Sequence, residues 1–362
     1  MSSLPPALLP AEPIPRIPEP PLEDFARDWL RPARPVILTG AITGWRALRT
    51  WTPETIAAIH PRVRIPVVRS FDGIAANIPG TPDQHEIVQL ELTEAVRQIR
   101  HPEPPEARYF VMQLALKALP LLALDFELPR EVKRDRLMNS NLWMGADGIT
   151  TPLHWDLANN VLACIHGRKR VLLFGPEQSE NLYPVAASDP RYHHRSHVNL
   201  ERPDFERFPR IARARPLGCV LEPGELLFLP PLWWHHVTSV GVSISLNIWW
   251  KPLLDQCRHD LWLRQLPLLF AGDRLQGFPR LVDLEGYPDL AAVALSFLAT
   301  GPSWAAVLLA EAARLSTPVP EADGEAWRQL VTEAMRGVES NLDPATAALL
   351  VPGMVAAARA RG

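Results

Sequence analysis

The stretch Asn160-Val-Leu-Ala-Cys-Ile-His-Gly-Arg-Lys-Arg-Val-Leu-Leu-Phe174 decides the fold class of this chain. Two apolar runs rich in β-branched residues, residues 160–165 and 168–174, flank the dipeptide His166-Gly167. Glycine in a two-residue link supplies the positive φ that a tight hairpin turn needs. We therefore predict two antiparallel strands joined by a turn at His166-Gly167.

The sequence on both sides of this stretch continues the β pattern. Glu222-Pro-Gly-Glu225 is a turn signal that leads into the apolar run Leu226–Leu229, and residues 243–250 alternate between apolar and polar side chains, as in a half-buried strand. Many short strands divided by Pro/Gly turns, between about Asn141 and Lys251, predict a closed or sandwiched antiparallel sheet such as a jelly roll.

The N-terminal third mixes strands with short helices. The dipeptide Thr52-Pro53 combines a threonine cap with proline in the first turn, which is typical of a helix start, and Thr93 opens a second short helix toward Ile99. Strand candidates are residues 35–38, 63–68 and 109–116. The predicted fold class is thus mainly β with helices.

Proline content and the end of the strand pattern divide the chain into three parts. There are 39 prolines, about twice the usual share, and eight of them fall between Pro5 and Pro21. We predict an extended proline-rich arm over residues 1–22, a jelly-roll domain over residues 23–252, and a C-terminal helical region over residues 253–362, because no strand signal follows Trp250.

Composition excludes several classes of protein. Apolar residues make up 47% and charged residues 21% of the chain, and the net charge of −3 gives no overall attraction to nucleic acid or acidic membranes, although a local basic patch stays possible. Three cysteines without a CxxC motif argue against disulfides and cysteine zinc sites, and the N-terminus lacks the pattern of a secretion signal, so we expect a cytoplasmic protein. The uncharged stretch 290–310 contains Gly301-Pro302 at its centre, which predicts two short buried helices rather than a membrane span.

Two separated motifs carry candidate metal ligands. In Thr151-Pro-Leu-His154-Trp-Asp156, the histidine and the aspartate are two residues apart, so on a strand they project to the same side. A histidine from the later motif Leu229-Pro-Pro-Leu-Trp-Trp-His-His-Val237 would complete two histidines and one carboxylate, a facial triad that favours Fe(II) and leaves positions open. Taken alone, His-x-Asp could equally be a hydrogen-bonded pair at a strand end, and the tryptophans could be core.

Residues 151–250 resemble the JmjC/cupin-like Fe(II)- and 2-oxoglutarate-dependent oxygenases, and most of all the factor-inhibiting-HIF asparaginyl hydroxylases. The shared features are Thr-Pro-x-His-x-Asp at 151–156, Gly167-Arg-Lys-Arg170 before Leu-Leu-Phe-Gly-Pro176, Leu182-Tyr-Pro184, residues 203–209, Pro223-Gly-Glu225, Trp233-Trp-His-His236 and Asn247-Ile-Trp249. Arg34-Pro-Val-Ile-Leu38 and Gly44-Trp45 are similar to the family's opening. The resemblance implies a double-stranded β-helix core of the cupin type, Fe(II) as metal, 2-oxoglutarate as cosubstrate and O₂ as oxidant.

The resemblance also implies roles for individual residues. It gives His154, Asp156 and His235 as iron ligands, with His235 preferred over His236 because the family motif reads aromatic-His-x. Lys169 corresponds to the lysine that binds the distal carboxylate of 2-oxoglutarate.

Four further residues complete the cosubstrate pocket implied by the resemblance. Thr151 can hydrogen-bond the same carboxylate, Asn160 and Asn247 correspond to asparagines that line the pocket, and Trp249 corresponds to an aromatic wall. If Lys169 lay alone on a hairpin, it would be a solvated edge lysine, and a buried asparagine could serve only as a local hydrogen-bond bridge.

One position departs from the family pattern. The family hydroxylases use a tyrosine on an earlier strand to hold the cosubstrate, and Phe110 stands there in Arg108-Tyr-Phe-Val-Met-Gln113. Tyr109 is one position away and would face the other side of the strand, unless the strand contains a bulge. Tyr109 is therefore given no role.

The resemblance predicts hydroxylation of a protein or peptide side chain, with release of succinate and CO₂. The alternatives are hydroxylation of a tRNA base or a small molecule, lysine demethylation, a non-catalytic cupin-like binding module, and a Zn or Mn cupin of the isomerase type. The charge balance argues against nucleic acid, but an arginine-rich stretch (Arg191, Arg195, Arg202, Arg207, Arg210, Arg213, Arg215) is either a solvated loop or a tRNA-binding surface. Because related hydroxylases dimerise through C-terminal helices, a homodimer formed by the apolar segments 291–298 and 305–309 is also expected.

Overall fold

The structure is a computed structural model that describes residues 11–185, 192, 194–253 and 256. The chain forms two compact units. The first unit, residues 1–185 with His194–Trp250, contains every element described below. The second unit, residues 186–193 with 251–362, lies almost wholly outside the described residues, and so do the predicted C-terminal helical region, its dimer segments and the stretch 290–310.

Twelve strands form the framework of the first unit. They are β1 (Glu12–Pro13), β2 (Arg16–Pro18), β3 (Val36–Thr39), β4 (Arg64–Ser70), β5 (His85–Glu91), β6 (Arg108–Ala115), β7 (Leu137–Gly145), β8 (Thr150–His154), β9 (Asn159–Phe174), β10 (Leu217–Leu221), β11 (Leu226–Leu229) and β12 (Trp234–Trp250). The predicted fold class, mainly β, is confirmed.

The described helices are short and precede the long strands. They are α1 (Leu22–Phe25), which continues as a π-helical turn at Ala26–Leu30, α2 (Ala47–Thr50), α3 (Pro53–Ile59) and α4 (Leu92–Arg100), with 3₁₀ turns at Leu116–Ala118, Pro120–Leu124, Arg134–Arg136, Pro176–Leu182 and Pro209–Arg213. The predicted start of α3 is confirmed, because Thr52 accepts a hydrogen bond from the backbone N–H of Thr55 and Thr55 accepts one from that of Thr52. No helix among the described residues is long and apolar enough to cross a membrane.

The strands form two layers that share β9 and β12. One layer has the order β2-β3-β11-β9-β12-β7-β6-β4-β5, and it uses the first half of β9 and the second half of β12. The other layer has the order β8-β12-β9-β10-β1, and it uses the remaining half of each shared strand. This arrangement confirms the cupin-like jelly-roll core.

The prediction of a hairpin at His166-Gly167 is wrong. β9 runs without interruption through both residues, and β12 pairs antiparallel with it on both sides of Gly167. Gly167 has a φ of 64°, and a Cβ atom there would lie 2.2 Å from the carbonyl oxygen of Val242. The glycine therefore allows β9 and β12 to approach closely where their register shifts, and it does not form a turn between two short strands.

Part of the predicted proline-rich arm pairs with the sheets. β1 pairs in parallel with β10, and β2 pairs in parallel with β3. Between them, Ile14 is only 1% exposed and belongs to the apolar core. Residues 12–18 are thus extended, as predicted, but they are packed elements of the fold.

The main core lies between the two layers. It combines side chains of the first layer with side chains of the second, namely Ile37, Leu162, Leu227 and Leu229 with Val171, Leu173 and Leu221. Near the candidate ligands, this interface becomes polar and encloses a cavity.

Candidate metal centre

The sheet register brings the candidate ligands together. His154 is the last residue of β8, Asp156 follows two residues later, and His235 is the second residue of β12. β8 and β12 are antiparallel neighbours, and His154 is directly paired with His235. The two motifs, about 80 residues apart in sequence, therefore meet at one end of the second layer.

The three side chains form a compact cluster. One nitrogen of each histidine and one carboxylate oxygen of Asp156 lie within 4.8 Å of one another. His235 Nε2 is 3.6 Å from Asp156 Oδ2, and the rings of His154 and His235 are 4.1 Å apart between centroids. Two imidazoles and one carboxylate at such distances are a donor set that fits a divalent transition metal and leaves other coordination positions open.

Each histidine is oriented by the backbone carbonyl group two residues before it. His154 Nδ1 lies 2.8 Å from the carbonyl oxygen of Pro152, and His235 Nδ1 lies 2.9 Å from that of Trp233. Donation by Nδ1–H fixes the tautomer in which Nε2 carries the lone pair. Metal-binding histidines are usually oriented by this kind of contact.

The electrostatics of the cluster also fit a bound cation. Burial, together with the neighbouring His235, lowers the pKa of His154 well below its usual range, so that imidazole is neutral. Burial raises the pKa of Asp156, since an isolated carboxylate is poorly solvated there. A divalent cation would offset the cost of keeping this carboxylate ionised.

A backbone hydrogen bond joins the two segments that carry the ligands. The N–H of Leu232 donates to the carbonyl oxygen of Asp156 at 2.8 Å. Leu232 is 1% exposed and has a φ of 68°, which is rare for leucine. The following Trp233 donates its indole N–H to the carbonyl oxygen of Ala33 at 2.8 Å. The turn before His235 is thus held on two sides.

The structure separates His235 from its neighbour His236. His236 is 2% exposed, and its Nε2 lies 3.5 Å from Glu201 Oε1, which also accepts a hydrogen bond from Arg170 at 3.0 Å. His236 thus faces a buried ion-pair network, while His235 faces Asp156. Trp234 and Trp155 pack edge-to-face at 6.4 Å and line no part of the cavity described next. They are core residues.

A cavity of about 130 Å³ contains the cluster. All eight residues that the sequence predicted for the site line it, namely His154, Asp156, His235, Lys169, Thr151, Asn160, Asn247 and Trp249. A space of this size admits a small carboxylic acid but no folded polypeptide. A macromolecular substrate must therefore insert a side chain or a base from outside.

Other lining residues were not predicted from the sequence. They are Ala76, Phe110, Met112, Gln113, Trp143, Pro152, Leu162, His194, Arg195, Leu229, Val237 and Ser245. Pro152, Leu229 and Val237 lie inside the quoted motifs but have apolar side chains that bind no metal or charge, and most of the others belong to no motif. A weak signal was available for Ser245, because residues 245, 247 and 249 share one face of the predicted strand.

Lys169 is the most unusual group in the cavity. Its side chain is 2% exposed, its Nζ donates to Ser239 Oγ at 3.0 Å, and among the described residues no carboxylate forms an ion pair with it. Burial lowers the pKa of Lys169 to about 8. An ammonium group buried in this way is a strong binding site for an anion, and it is not a solvated edge lysine.

The predicted asparagines both line the cavity and bond to each other. Asn247 Nδ2 donates to Asn160 Oδ1 at 2.9 Å across β12 and β9. The Trp249 indole lines the same wall, and its Nε1 is buried without a hydrogen-bond partner. This side of the cavity therefore presents both bonded and unsatisfied polar groups to a ligand.

The structure settles the orientations of Phe110 and Tyr109. Phe110 lines the cavity with its ring 5.4 Å from Lys169 Nζ. Tyr109 donates its hydroxyl to the carbonyl oxygen of Glu103 at 2.6 Å and does not line the cavity. The bulge in β6 lies after these residues, between Val111 and Leu114. No phenol therefore reaches Lys169 from this strand.

The arginine-rich stretch divides into two parts in the structure. Arg195 lines the cavity and donates to the carbonyl oxygen of Asn77 at 2.7 Å. Five later arginines are exposed: Arg202, Arg207, Arg210, Arg213 and Arg215. Arg191 lies outside the described residues.

Comparison with known proteins points to one family. The model of the family described as "Cupin-like domain" matches residues 21–256. Lysine-specific demethylase 8 of Xenopus tropicalis is 30% identical over 243 residues, which cover 66% of this chain and 53% of that protein. Lysine-specific demethylase JMJ30 of Arabidopsis thaliana is 29% identical over 233 residues, which cover 64% of this chain and 53% of that protein. This chain thus matches about half the length of these two relatives.

Another relative carries a different name. The human tRNA wybutosine-synthesizing protein 5 is 26% identical over 260 residues, which cover 68% of this chain and 80% of that protein. The finer resemblance to factor-inhibiting-HIF asparaginyl hydroxylases is not supported by these comparisons. The family match covers strands β3 to β12 of the jelly roll and all eight predicted site residues. The chain therefore belongs to the cupin-like, JmjC-type domain family.

Proposed function

We propose that this protein is an Fe(II)- and 2-oxoglutarate-dependent dioxygenase that hydroxylates a protein or peptide side chain. JmjC-type members of the family depend on Fe(II) and 2-oxoglutarate. One observation carries the proposal for this chain: a single cavity contains both a His-Asp-His cluster and the buried ammonium group of Lys169. A small dicarboxylic acid with a keto group matches these two features, since one end can chelate a metal and the other can neutralise an ammonium.

In this proposal each residue has a stated task. His154, Asp156 and His235 hold Fe(II), with both imidazoles fixed as Nε2 donors by the carbonyl groups of Pro152 and Trp233. Ser239 accepts a hydrogen bond from Lys169 and so positions its Nζ. Lys169 binds the distal carboxylate of the cosubstrate in a site from which water is largely excluded.

The remaining predicted residues shape the cosubstrate pocket. Thr151 offers a hydroxyl, the Asn160–Asn247 pair offers amide groups, and Trp249 forms a wall. When bound, iron and 2-oxoglutarate supply the oxidant: O₂ is reduced as the cosubstrate loses CO₂ to become succinate, and one oxygen atom is inserted into a substrate C–H bond.

Lys169 also argues against the rival functions. A zinc or manganese cupin of the isomerase type has no evident use for a buried ammonium beside its metal. A non-catalytic module could retain it only if the module bound the same dicarboxylic acid. Without a bound carboxylate, the cost of burying the Lys169 charge would not be offset.

A polypeptide side chain is our preferred substrate. The relatives named lysine-specific demethylases support a protein substrate, and the net charge of −3 does not favour RNA. The small cavity fits a single inserted side chain. Loss of a methyl group and stable hydroxylation both begin with oxidation of a C–H bond, so mass spectrometry of the product must decide between them.

A tRNA base is the second candidate. The human protein named for wybutosine synthesis in tRNA matches over 80% of its length, and five arginines between positions 202 and 215 are exposed. Binding of tRNA that weakens steeply with salt, together with oxidation of one of its bases, would favour this candidate.

The decisive experiment is an anaerobic titration of 2-oxoglutarate into Fe(II)-loaded protein. Binding is monitored by the visible metal-to-ligand charge-transfer band of the complex. We expect a saturable band in the parent protein, a band that needs far more 2-oxoglutarate in Lys169→Ala, and no band in His235→Ala. His236→Gln is the matched control, because its side chain faces Glu201 rather than the cluster.

The outcomes separate the candidate functions. If iron-containing parent protein shows no band, the pocket serves another ligand and the proposal is wrong. If the band forms, the aerobic protein is incubated with peptide pools and with tRNA in parallel. Gain of one oxygen atom in a peptide supports the preferred substrate, while gain only in tRNA supports the second candidate.

A further inference from the structure

We infer that Ser245 binds the distal carboxylate of the cosubstrate together with Lys169. This inference rests on the proposed function, and it assigns a role to a residue that no sequence motif marked. The Ser245 hydroxyl is buried without a partner, Lys169 lines the same cavity, and no tyrosine is among the described residues that line it.

The Ser245 hydroxyl is buried without a hydrogen-bond partner. The residue is 1% exposed, it lines the cavity, and its Oγ makes no hydrogen bond. A buried hydroxyl of this kind disfavours folding relative to alanine, because it has lost its bonds to water. Because Ser245 also lines the cavity, a ligand bound there can accept the hydrogen bond that the protein leaves unmade.

Two other groups that line the same cavity specify the charge of that ligand. Lys169 uses a hydrogen bond to Ser239 and has two further N–H donors on its ammonium group. Asp156 is the sole carboxylate among the described residues that line the cavity, and it belongs to the metal cluster. A buried cation and a buried hydroxyl without a protein acceptor together call for an anionic acceptor with two oxygens, which is a carboxylate.

No phenol competes with Ser245 for this role. Phe110 stands over the Lys169 ammonium at 5.4 Å and has no polar atom, and the Tyr109 hydroxyl is bonded elsewhere, to the carbonyl of Glu103. Among the described lining residues the available hydroxyls are those of Thr151 and Ser245. The apolar ring of Phe110 also keeps water from the ion pair, which strengthens each hydrogen bond to the carboxylate.

The chain provides a matched control two residues earlier. Ser243 is 0% exposed, and its Oγ is likewise buried without a partner, but it is not among the residues that line the cavity. Ser243→Ala and Ser245→Ala therefore remove the same atom from the same strand, and they differ in access to the ligand.

The test measures equilibrium binding rather than turnover. 2-Oxoglutarate is titrated by calorimetry into the full-length protein loaded with Mn(II), for the parent and for both alanine variants. A second probe, 2-oxopentanoate, has the same chain length and keto acid group but lacks the distal carboxylate. We expect Ser245→Ala to weaken 2-oxoglutarate binding about tenfold or more, the range for a hydrogen bond to a charged group, and to leave 2-oxopentanoate unchanged. Ser243→Ala should change neither.

Thermal unfolding of the metal-free variants distinguishes a binding role for Ser245 from a purely structural one, because loss of a structural residue would lower the melting temperature. Ser245→Ala should melt at the parental temperature or above it, because an unsatisfied hydroxyl has been removed. Unchanged 2-oxoglutarate binding, an equal loss for both probes, or a clearly lower melting temperature would each overturn the inference while leaving the proposed function in place. If the parent does not bind 2-oxoglutarate at all, the proposed function is wrong and the inference is overturned with it.

Discussion

Replacement of Lys169 by methionine should stabilise the protein and greatly weaken cosubstrate binding at the same time. Burial lowers the pKa of Lys169 from 10.5 to about 8. A difference of this size corresponds to about 3 kcal/mol that the charged group subtracts from the free energy of unfolding at neutral pH. Methionine removes this cost but leaves Ser239 without its donor, a loss of about 1 kcal/mol. The net gain is about 2 kcal/mol.

The sign of the pH dependence is fixed by the same pKa. The unfolded chain holds the proton of Lys169 up to about pH 10.5, and the folded protein releases it near pH 8. The parent therefore gains stability as the pH rises through this window, and the advantage of Lys169→Met is greatest below pH 8 and vanishes toward pH 10.5. Cys164, which interacts electrostatically with Lys169, does not confuse the comparison, because burial raises its pKa to about 12.

Denaturant unfolding of the metal-free protein at pH 7 and at pH 10, followed by tryptophan fluorescence, measures both effects. In a parallel thermal melt at pH 7, a gain of about 2 kcal/mol should raise the melting temperature of a domain of this size by about 4–8 °C. Lys117→Met, at an exposed position, is the control and should change little. Addition of 2-oxoglutarate to the Mn(II)-loaded proteins should stabilise the parent further and stabilise Lys169→Met far less. Loss of stability in Lys169→Met at pH 7, or a gain that is equal at both pH values, would refute the reasoning.

Three further predictions concern the ligands and the backbone. His235→Ala should lose tight Mn(II) binding, measured by electron paramagnetic resonance, whereas His236→Gln should keep it; equal loss in both would contradict the separation of their roles. Gly167→Ala should destabilise the protein by at least about 3 kcal/mol, because the added methyl group clashes with β12 and the backbone is strained. Gly40→Ala is the control: φ is positive there too, at 84°, but the space around it is open, so the cost should be only about 1 kcal/mol. Similar unfolding midpoints for the two variants would show that β12 does not press on position 167. Ala33→Gly should raise the free energy of unfolding by about 0.5–1 kcal/mol, since Ala33 has a φ of 52°, and an unfolding midpoint below that of the parent would contradict this.

The sequence determined the local elements and the identity of the candidate ligands. The strands at Val36, Arg64 and Leu226 follow from β-branched and apolar runs, and the cap at Thr52 follows from side-chain chemistry that acts over three residues. The placement of His154 and Asp156 on one side follows from the alternation of a strand. These features depend on interactions between residues close in the chain, so a sequence pattern suffices to predict them.

Only the tertiary structure decided features that depend on which segments become neighbours. A turn-like glycine at Gly167 has the same local signal whether its two flanking runs pair with each other or both pair with β12, and the structure shows the second arrangement. His235 and His236 point to opposite faces of β12, but the sequence does not say which face lines the cavity. The burial of Lys169 and the unsatisfied hydroxyl of Ser245 likewise arise because distant strands enclose them, and burial by distant strands leaves no mark in the residues on either side.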